Sequence, residues 1–205
     1  MAEKIKFTRP ELKRQRDMLT RFERYLPMLK LKQQQLQLTI QQVGRERNAA
    51  YKAAEDARKN FERYDKVMND VAGVDVRGLG EYQDIKTYQK NIAGVAIPVF
   101  QDVVFPESRY SLFSTPVWVD RALMDLRELN KRRARLEIIE RQHDLLQREL
   151  TKIIQRVNLF EKIKIPEAKE NIRRIRIQLG DEMASAVGRA KIAKAKLAEV
   201  GSGAG

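Results

Sequence analysis

The sequence predicts a mainly α protein, a long antiparallel two-helix coiled coil with a small β-hairpin head in the middle of the chain. Three observations predict it. With Leu12 at position a, a heptad frame runs without a slip to Val71, and only Gln15, Gln33 and Arg47 of its eighteen a and d positions are polar. Apolar residues recur at the same spacing in the C-terminal half, from Leu136 onward. Between the two arrays, Gly, Pro and β-branched residues crowd into positions 73–116. A sustained 3.5-residue repeat marks a helix whose narrow apolar seam lies against another helix.

The first helix opens near Thr8, with Pro10 in its first turn, where the missing N–H would have been unpaired anyway. Its a positions are Leu12, Leu19, Leu26, Gln33, Ile40, Arg47, Ala54, Phe61 and Met68. The d positions are Gln15, Phe22, Leu29, Leu36, Val43, Ala50, Ala57, Tyr64 and Val71. At 1.5 Å per residue such a helix spans roughly 90–100 Å. Pro27 removes one backbone bond and bends the helix without shifting the frame. Ala50, Ala54 and Ala57 let the partner approach closely.

The middle contains two strand-like pieces, Tyr82–Ile92 and Val95–Phe105, on either side of Ala93-Gly94. They read as a β-hairpin or small sheet in which Pro98 sits at an edge or a bulge, the alternative being an irregular capping loop. The second helix starts at Ser114-Thr115-Pro116, with Thr115 as N-cap and Asp120 in the early turns. Its seam runs Leu136, Ile139, His143, Leu146, Leu150, Ile153, Val157 and Phe160. After a slip of one residue near Pro166 the seam continues at Ile165, Ala168, Ile172, Ile175, Leu179 and Ala186. The chain thus divides into an N-terminal coiled-coil helix (1–72), a head (73–116), a C-terminal coiled-coil helix (117–200) and a flexible tail (201–205). Folding back within one chain is favoured over a parallel dimer of whole chains, which would leave each helix's partner unspecified.

Composition narrows the function. Charged residues are 34% and aromatics 7%, which suits long exposed helices better than a compact domain. There is no cysteine, so disulfides and thiolate metal sites are excluded and a reducing compartment fits. No apolar run approaches the ~20 residues of a bilayer span, and Met1-Ala-Glu-Lys-Ile-Lys lacks the apolar core of a secretion signal. The expectation is a soluble intracellular protein. The net charge is +13, and residues 1–32 (ten Lys/Arg, four Asp/Glu) and 162–205 (ten against five) hold eleven of those charges. If the helices pair antiparallel, these ends form one positive tip: Lys4, Lys6, Arg9, Lys13, Arg14 and Arg16 with Arg189, Lys191, Lys194 and Lys196.

No catalytic constellation is evident. The only histidine, His143, falls on a seam position with no second His or Cys to complete a metal or nucleophilic site. Gly78-Leu-Gly80 is too short for a phosphate loop and no lysine of that kind follows it. Lys131-Arg-Arg-Ala-Arg135 has Glu128, Glu137 and Glu140 beside it and no aromatic platform, so a solvated flank is favoured over nucleic-acid binding.

Two motifs carry a family likeness. Arg156-Val-Asn-Leu-Phe-Glu161, followed by Ile165-Pro166 and Ile172-Arg-Arg-Ile175, resembles the RVNxLE…IP signature of the D subunit of V/A-type ATPases, with Phe160 where Leu is usual. Leu26-Pro-Met-Leu-Lys-Leu-Lys-Gln-Gln-Gln-Leu36 is similar to the LLKxKRDxL segment of the same family, with Lys30, Lys32 and Leu36 in register and Gln33-Gln34 replacing Arg-Asp. Ile92-Ala-Gly-Val-Ala-Ile-Pro98 fits the family's hairpin. The resemblance implies a central-stalk rotor that carries torque between a nucleotide-binding ring and a membrane ion-translocating rotor. Its shaft residues would be Lys30, Lys32, Leu36, Arg156, Val157, Asn158, Glu161 and Pro166, with the basic tip toward the ring. The implied partners are the nucleotide-binding A and B subunits, a membrane-side rotor adaptor and the F subunit, with no nucleic acid, cofactor or membrane insertion. The implied place is the cytoplasm, at the membrane periphery. The competing class is a non-motor coiled-coil scaffold or adaptor.

Overall fold

A computed structural model describes residues 5–64, 66–67, 73–110 and 115–202, without the side chains of 198–202. Lys4, Met68, Val71, Ser114 and the tail from 203 lie outside the described residues. The elements are α1 (Arg9–Phe61), α2 (Val76–Gly80), β1 (Asp84–Ile92), β2 (Val95–Val104), α3 (Trp118–Asn158) and α4 (Ile165–Ser202). A 3-10 turn, Glu62–Tyr64, follows α1, and a π-turn, Leu159–Lys164, joins α3 to α4. Contacts divide the chain into two units, residues 1–31 with 154–205, and residues 32–153.

The heptad frame accounts for α1. Every a and d position from Leu12 to Tyr64 is buried or half-buried, Leu36 completely. The helix passes through Pro27 unbroken. It gives way to the 3-10 turn after Phe61, earlier than the expected end near residue 72.

In the first unit, cross-helix pairs run in opposite senses. Glu23 meets Lys169 and Lys30 meets Glu161, so between these ion pairs the partner number falls as the α1 number rises, while Phe22 packs on Phe160. Glu23 and Lys30 each follow a d position, as Glu161 and Lys169 follow seam positions of their own helix. Like flanks meet like flanks only when two helices are antiparallel. The apolar layer there includes Val157, Ala168, Ile172 and Ile175.

The one-residue slip of the second seam has a structural cause. The π-turn lies between Phe160 and Ile165, and the Ile165 N–H donates to the Phe160 carbonyl five residues back. That turn takes up the extra residue and returns Ile165 and Ala168 to the buried side. Beyond Leu179 the seam loses its cover: Ala186, expected in it, is exposed, as is every residue from Gly180 to Leu197. The α-helix itself continues to Ser202, into the expected tail.

The second unit pairs α1 from Lys32 with α3 and adds the head. Arg132 Nη1 reaches the Ala53 carbonyl at 3.0 Å, an approach the small alanines permit. The hairpin forms as expected, with β1 and β2 antiparallel and turning at Ala93 (φ 51°) and Gly94 (φ 79°). Two left-handed residues make a type I′ turn, and Asn91 Oδ1 accepts from the Gly94 N–H at 2.8 Å. The bulge falls opposite Lys86/Thr87, where Gln101 is left without a partner in the register. Pro98 is in regular register with Gln89, on one strand of a two-stranded ribbon, and so at an edge.

The short helix α2 was not legible in the glycine-rich stretch. Asp75 Oδ1 accepts from the Gly78 N–H at 2.9 Å and caps it. Val76 joins Ala57, Val119, Leu123, Leu126 and Leu129 in a buried cluster, against which Phe61, Leu79, Tyr110 and Trp118 pack. Helix α3 begins two residues after Pro116, whose carbonyl accepts from the Val119 N–H.

Two glycines should respond oppositely to alanine. A Cβ on Gly80 would lie 2.2 Å from Leu126 Cδ2, whereas one on Gly44, inside α1, meets nothing within 4 Å. Gly80→Ala is expected to destabilise by about 1–3 kcal/mol through overpacking. Gly44→Ala is expected to stabilise by roughly 0.5–1 kcal/mol through helix propensity. Denaturant melts of the two variants check both signs.

Candidate functional site

Of the residues singled out by the family motifs, Leu36 and Val157 are buried and Lys30, Lys32 and Glu161 make ion pairs between helices. Lys30 Nζ donates to Glu161 Oε1 at 2.8 Å across 131 residues of sequence, joining the two motifs directly. Both side chains are 46% exposed, so the pair contributes at most about 1 kcal/mol and serves mainly to fix alignment. Beside it the Phe22 and Phe160 rings pack tilted with centroids 5.0 Å apart. Such a contact adds ~0.5–1.5 kcal/mol beyond burial. Val157 is buried, while Arg156, Asn158 and Pro166 are exposed around the π-turn. In the second unit Lys32 pairs with Glu149 at 3.8 Å, and Leu36 has no exposed surface.

Of the expected basic positions, Lys6 and Arg14 line a groove of about 290 Å³ with Glu11, Gln15, Lys164 and Asn171. Arg9, Lys13 and Arg16 are exposed on the first turns of α1. Arg189, Lys191, Lys194 and Lys196 stand on the uncovered stretch of α4. Gln15, the polar residue at a d position, is 7% exposed and donates to Glu11 Oε1 at 2.8 Å. Its Oε1 is buried without a protein partner.

The head is fastened to α3 by side chains that periodicity did not reveal. Arg127 donates through Nε to the Leu79 carbonyl at 3.1 Å and through Nη2 to the Pro106 carbonyl at 2.6 Å, with its guanidinium 5.3 Å from the Phe105 ring centre. Asn130 donates to the Gly80 carbonyl, and buried Gln142 to the Pro98 carbonyl at 2.6 Å. The only available signal for these residues was polarity inside a seam-rich helix, which does not identify a partner. The basic run is also engaged internally: Lys131 binds Asp102 at 2.9 Å and Arg132 binds Glu128 at 2.7 Å. His143 is partly buried, 3.9 Å from Asp144. Among the described residues no group of three or more His, Asp or Glu side chains converges as a metal site.

Two phenols and one carboxylate are electrostatically tuned. Burial, then the hydrogen bond to Asp125, raises the Tyr64 hydroxyl above its ordinary value; burial and the bond to Asp120 do the same for Tyr110. The hydrogen bond from Lys131 foremost, with the Val103 N–H and the Lys131 charge, lowers the Asp102 carboxyl.

Antiparallel heptad pairing in the first unit and a helix pair carrying a hairpin in the second define a coiled-coil protein. Residues 11–195 match the family model for the D subunit of ATP synthase. The chain is 39% identical over 197 residues to the V-type ATP synthase D subunit of Borreliella burgdorferi, covering 95% of each chain. It is 34% identical over 198 residues to the V-type ATP synthase D subunit of Chlamydia felis (96% of this chain, 95% of the relative), and 32% over 204 residues to that of Chlamydia pneumoniae (96% and 95%). The chain belongs to the ATP synthase D-subunit family.

Phe160→Glu is expected to lower the melting temperature markedly, since a half-buried site loses a ring contact and gains a charge, while Lys162→Glu on the exposed flank stays within ~0.5 kcal/mol. Equal melting temperatures would refute this register. For pH, the raised phenols favour the folded state below the unfolded tyrosine pKa near 10, and that contribution is lost as pH rises through their folded values. The lowered Asp102 contributes above its unfolded pKa and is lost as pH falls through the folded one. Melts against pH should show Tyr64→Phe flattening the alkaline limb and Asp102→Asn the acid limb.

Proposed function

We propose that this chain is the central-stalk rotor of a V/A-type ATP synthase, non-catalytic itself, passing torque between the nucleotide-binding ring and the ion-translocating rotor in the membrane. The observation that carries the reading is the uncovered end of α4. From Gly180 to Leu197 every side chain is exposed, including Met183, Val187, Ile192 and Leu197, each more than half exposed. Arg189, Lys191, Lys194 and Lys196 are interspersed among them. Large apolar side chains distributed around a helix that the described residues leave bare call for an outside sleeve. In this reading the ring of A and B subunits is that sleeve, and the long basic side chains keep the helix free to turn within it.

The tied seam suits the same task. Lys30, Lys32, Leu36, Val157, Phe160 and Glu161 hold paired helices in one register, as a part under torsion requires. A membrane-side rotor adaptor and the F subunit complete the set of neighbours. No helix among the described residues is long and apolar enough to cross a membrane, in keeping with a cytoplasmic place at the periphery of the complex.

Truncation after Gly180 separates folding from function. The isolated chain is expected to keep its melting temperature, because residues 181–197 are exposed throughout. The complex built with it is expected to lose coupling between ATP turnover and ion movement. Ion pumping at the full rate by that complex would overturn the rotor reading.

A further inference from the structure

The hairpin lies on the paired helices unevenly. Strand β2 is held to α3: Gln142 donates to the Pro98 carbonyl, Lys131 binds Asp102, and Ile97 and Val103 are buried. Strand β1 is exposed at seven of its nine positions, with only Ile85 and Ile92 half-buried. The sheet has two strands, so the outer side of β1 carries a row of backbone groups with no ladder partner.

The ladder tells which groups these are. A two-residue type I′ turn closes on a hydrogen-bonded pair, here Ile92 and Val95, and antiparallel pairs then alternate. Lys90 with Ile97 and Tyr88 with Val99 therefore exchange bonds inward. Thr87, Gln89 and Asn91 direct their N–H and C=O groups outward. Pro98 stands opposite Gln89, so its missing N–H would also have pointed outward and costs the ladder nothing.

Edges of β-ribbons are ordinarily blunted. Strand β2 has Pro98, the bulge at Gln101 and the covering bond from Gln142. Strand β1 has no proline and no inserted residue along its nine positions. What it does carry is Lys86 and Lys90, both exposed; Lys86 stands opposite Asp102, whose carboxylate also binds Lys131, and Lys90 stands opposite Ile97 with no acidic side chain across the ladder. Like charge disfavours a second copy of this edge, and the same lysines attract a strand of opposite charge. Tyr88, 53% exposed on the lysine face, offers an aromatic surface to a cross-strand neighbour.

The geometry points to strand addition: the outer edge of β1, through Thr87, Gln89 and Asn91, pairs with an extended acidic segment of another component of the ATP synthase. The inference rests on membership of that assembly and not on rotation, so a complex that assembles but fails to couple would still test it.

Amide hydrogen exchange on the full chain, alone and within the assembled ATP synthase, reads the row directly. The amides of Thr87, Gln89 and Asn91 are expected to slow by about tenfold or more on assembly, while Tyr88 and Lys90 are slow in both states. Gln89→Pro removes one outward donor and spares the ladder, as Pro98 does opposite. In its assembly Tyr88 and Lys90 should stay slow, and Thr87 and Asn91 should return to the rate of the free chain; Gln89→Ala should keep their protection. Lys90→Glu should reduce that protection without changing the ladder. Unchanged exchange at Thr87, Gln89 and Asn91 on assembly would overturn the proposal. So would protection of Thr87 and Asn91 that survives Gln89→Pro, or protection of the free chain that vanishes on dilution, which would identify a second copy as the occupant.

Discussion

The paired helices depend on keeping two apolar seams turned toward one another, and an α-helix of 3.6 residues per turn does not match a 3.5-residue repeat without adjustment. Here the second strand of the pairing carries a further misfit, five residues from Phe160 to Ile165 where three or four would hold the frame. Unrelieved, that extra residue would rotate Ala168, Ile172 and Ile175 off the seam. The π-turn at Leu159–Lys164 absorbs it, and all three stay buried. Pro166 follows immediately, a residue that cannot donate to the regular helical ladder and is best tolerated where that ladder is already relaxed. The Lys30–Glu161 pair and the Phe22–Phe160 contact both bind the irregular turn to α1.

The head is held by a different logic. It brings little core of its own, Val76 with Leu79 and Tyr110 packing on Leu123, Leu126 and Leu129 of α3, so α3 also supplies polar clasps where a larger domain would supply volume. Arg127 ties both the end of α2 and the segment after β2 to the helix. Gly80 permits the close approach of Leu126 that seats α2. These clasps end backbone carbonyls that would otherwise lack partners. They also leave β1 outermost.

The molecule places its few distinctive groups on surfaces of pairing and contact. Gln15 and Asn171 are buried carboxamides beside a groove, a polar layer in an otherwise apolar seam. Lys131 and Arg132, which by sequence could have met nucleic acid, are engaged with Asp102, Glu128 and the Ala53 carbonyl.

The sequence by itself determined the two seams, the reversal between them, the hairpin and its turn at Ala93-Gly94, because each rests on local periodicity or on φ preferences of neighbouring residues. The shared motifs even placed Lys30 and Glu161 in one family, though nothing in their spacing required them to touch. Only the tertiary structure decided how the extra residue near Pro166 is accommodated, since a slip in a pattern does not say which backbone turn absorbs it. The same holds for α2, whose five residues are too few to show a period, and for Arg127, Asn130 and Gln142, whose partners are backbone carbonyls invisible to any pattern of side chains. It holds too for the bare end of α4: Leu179 and Ala186 continue one apolar row in the sequence, but burial depends on whether a partner reaches that far, and the first is half-buried while the second is exposed.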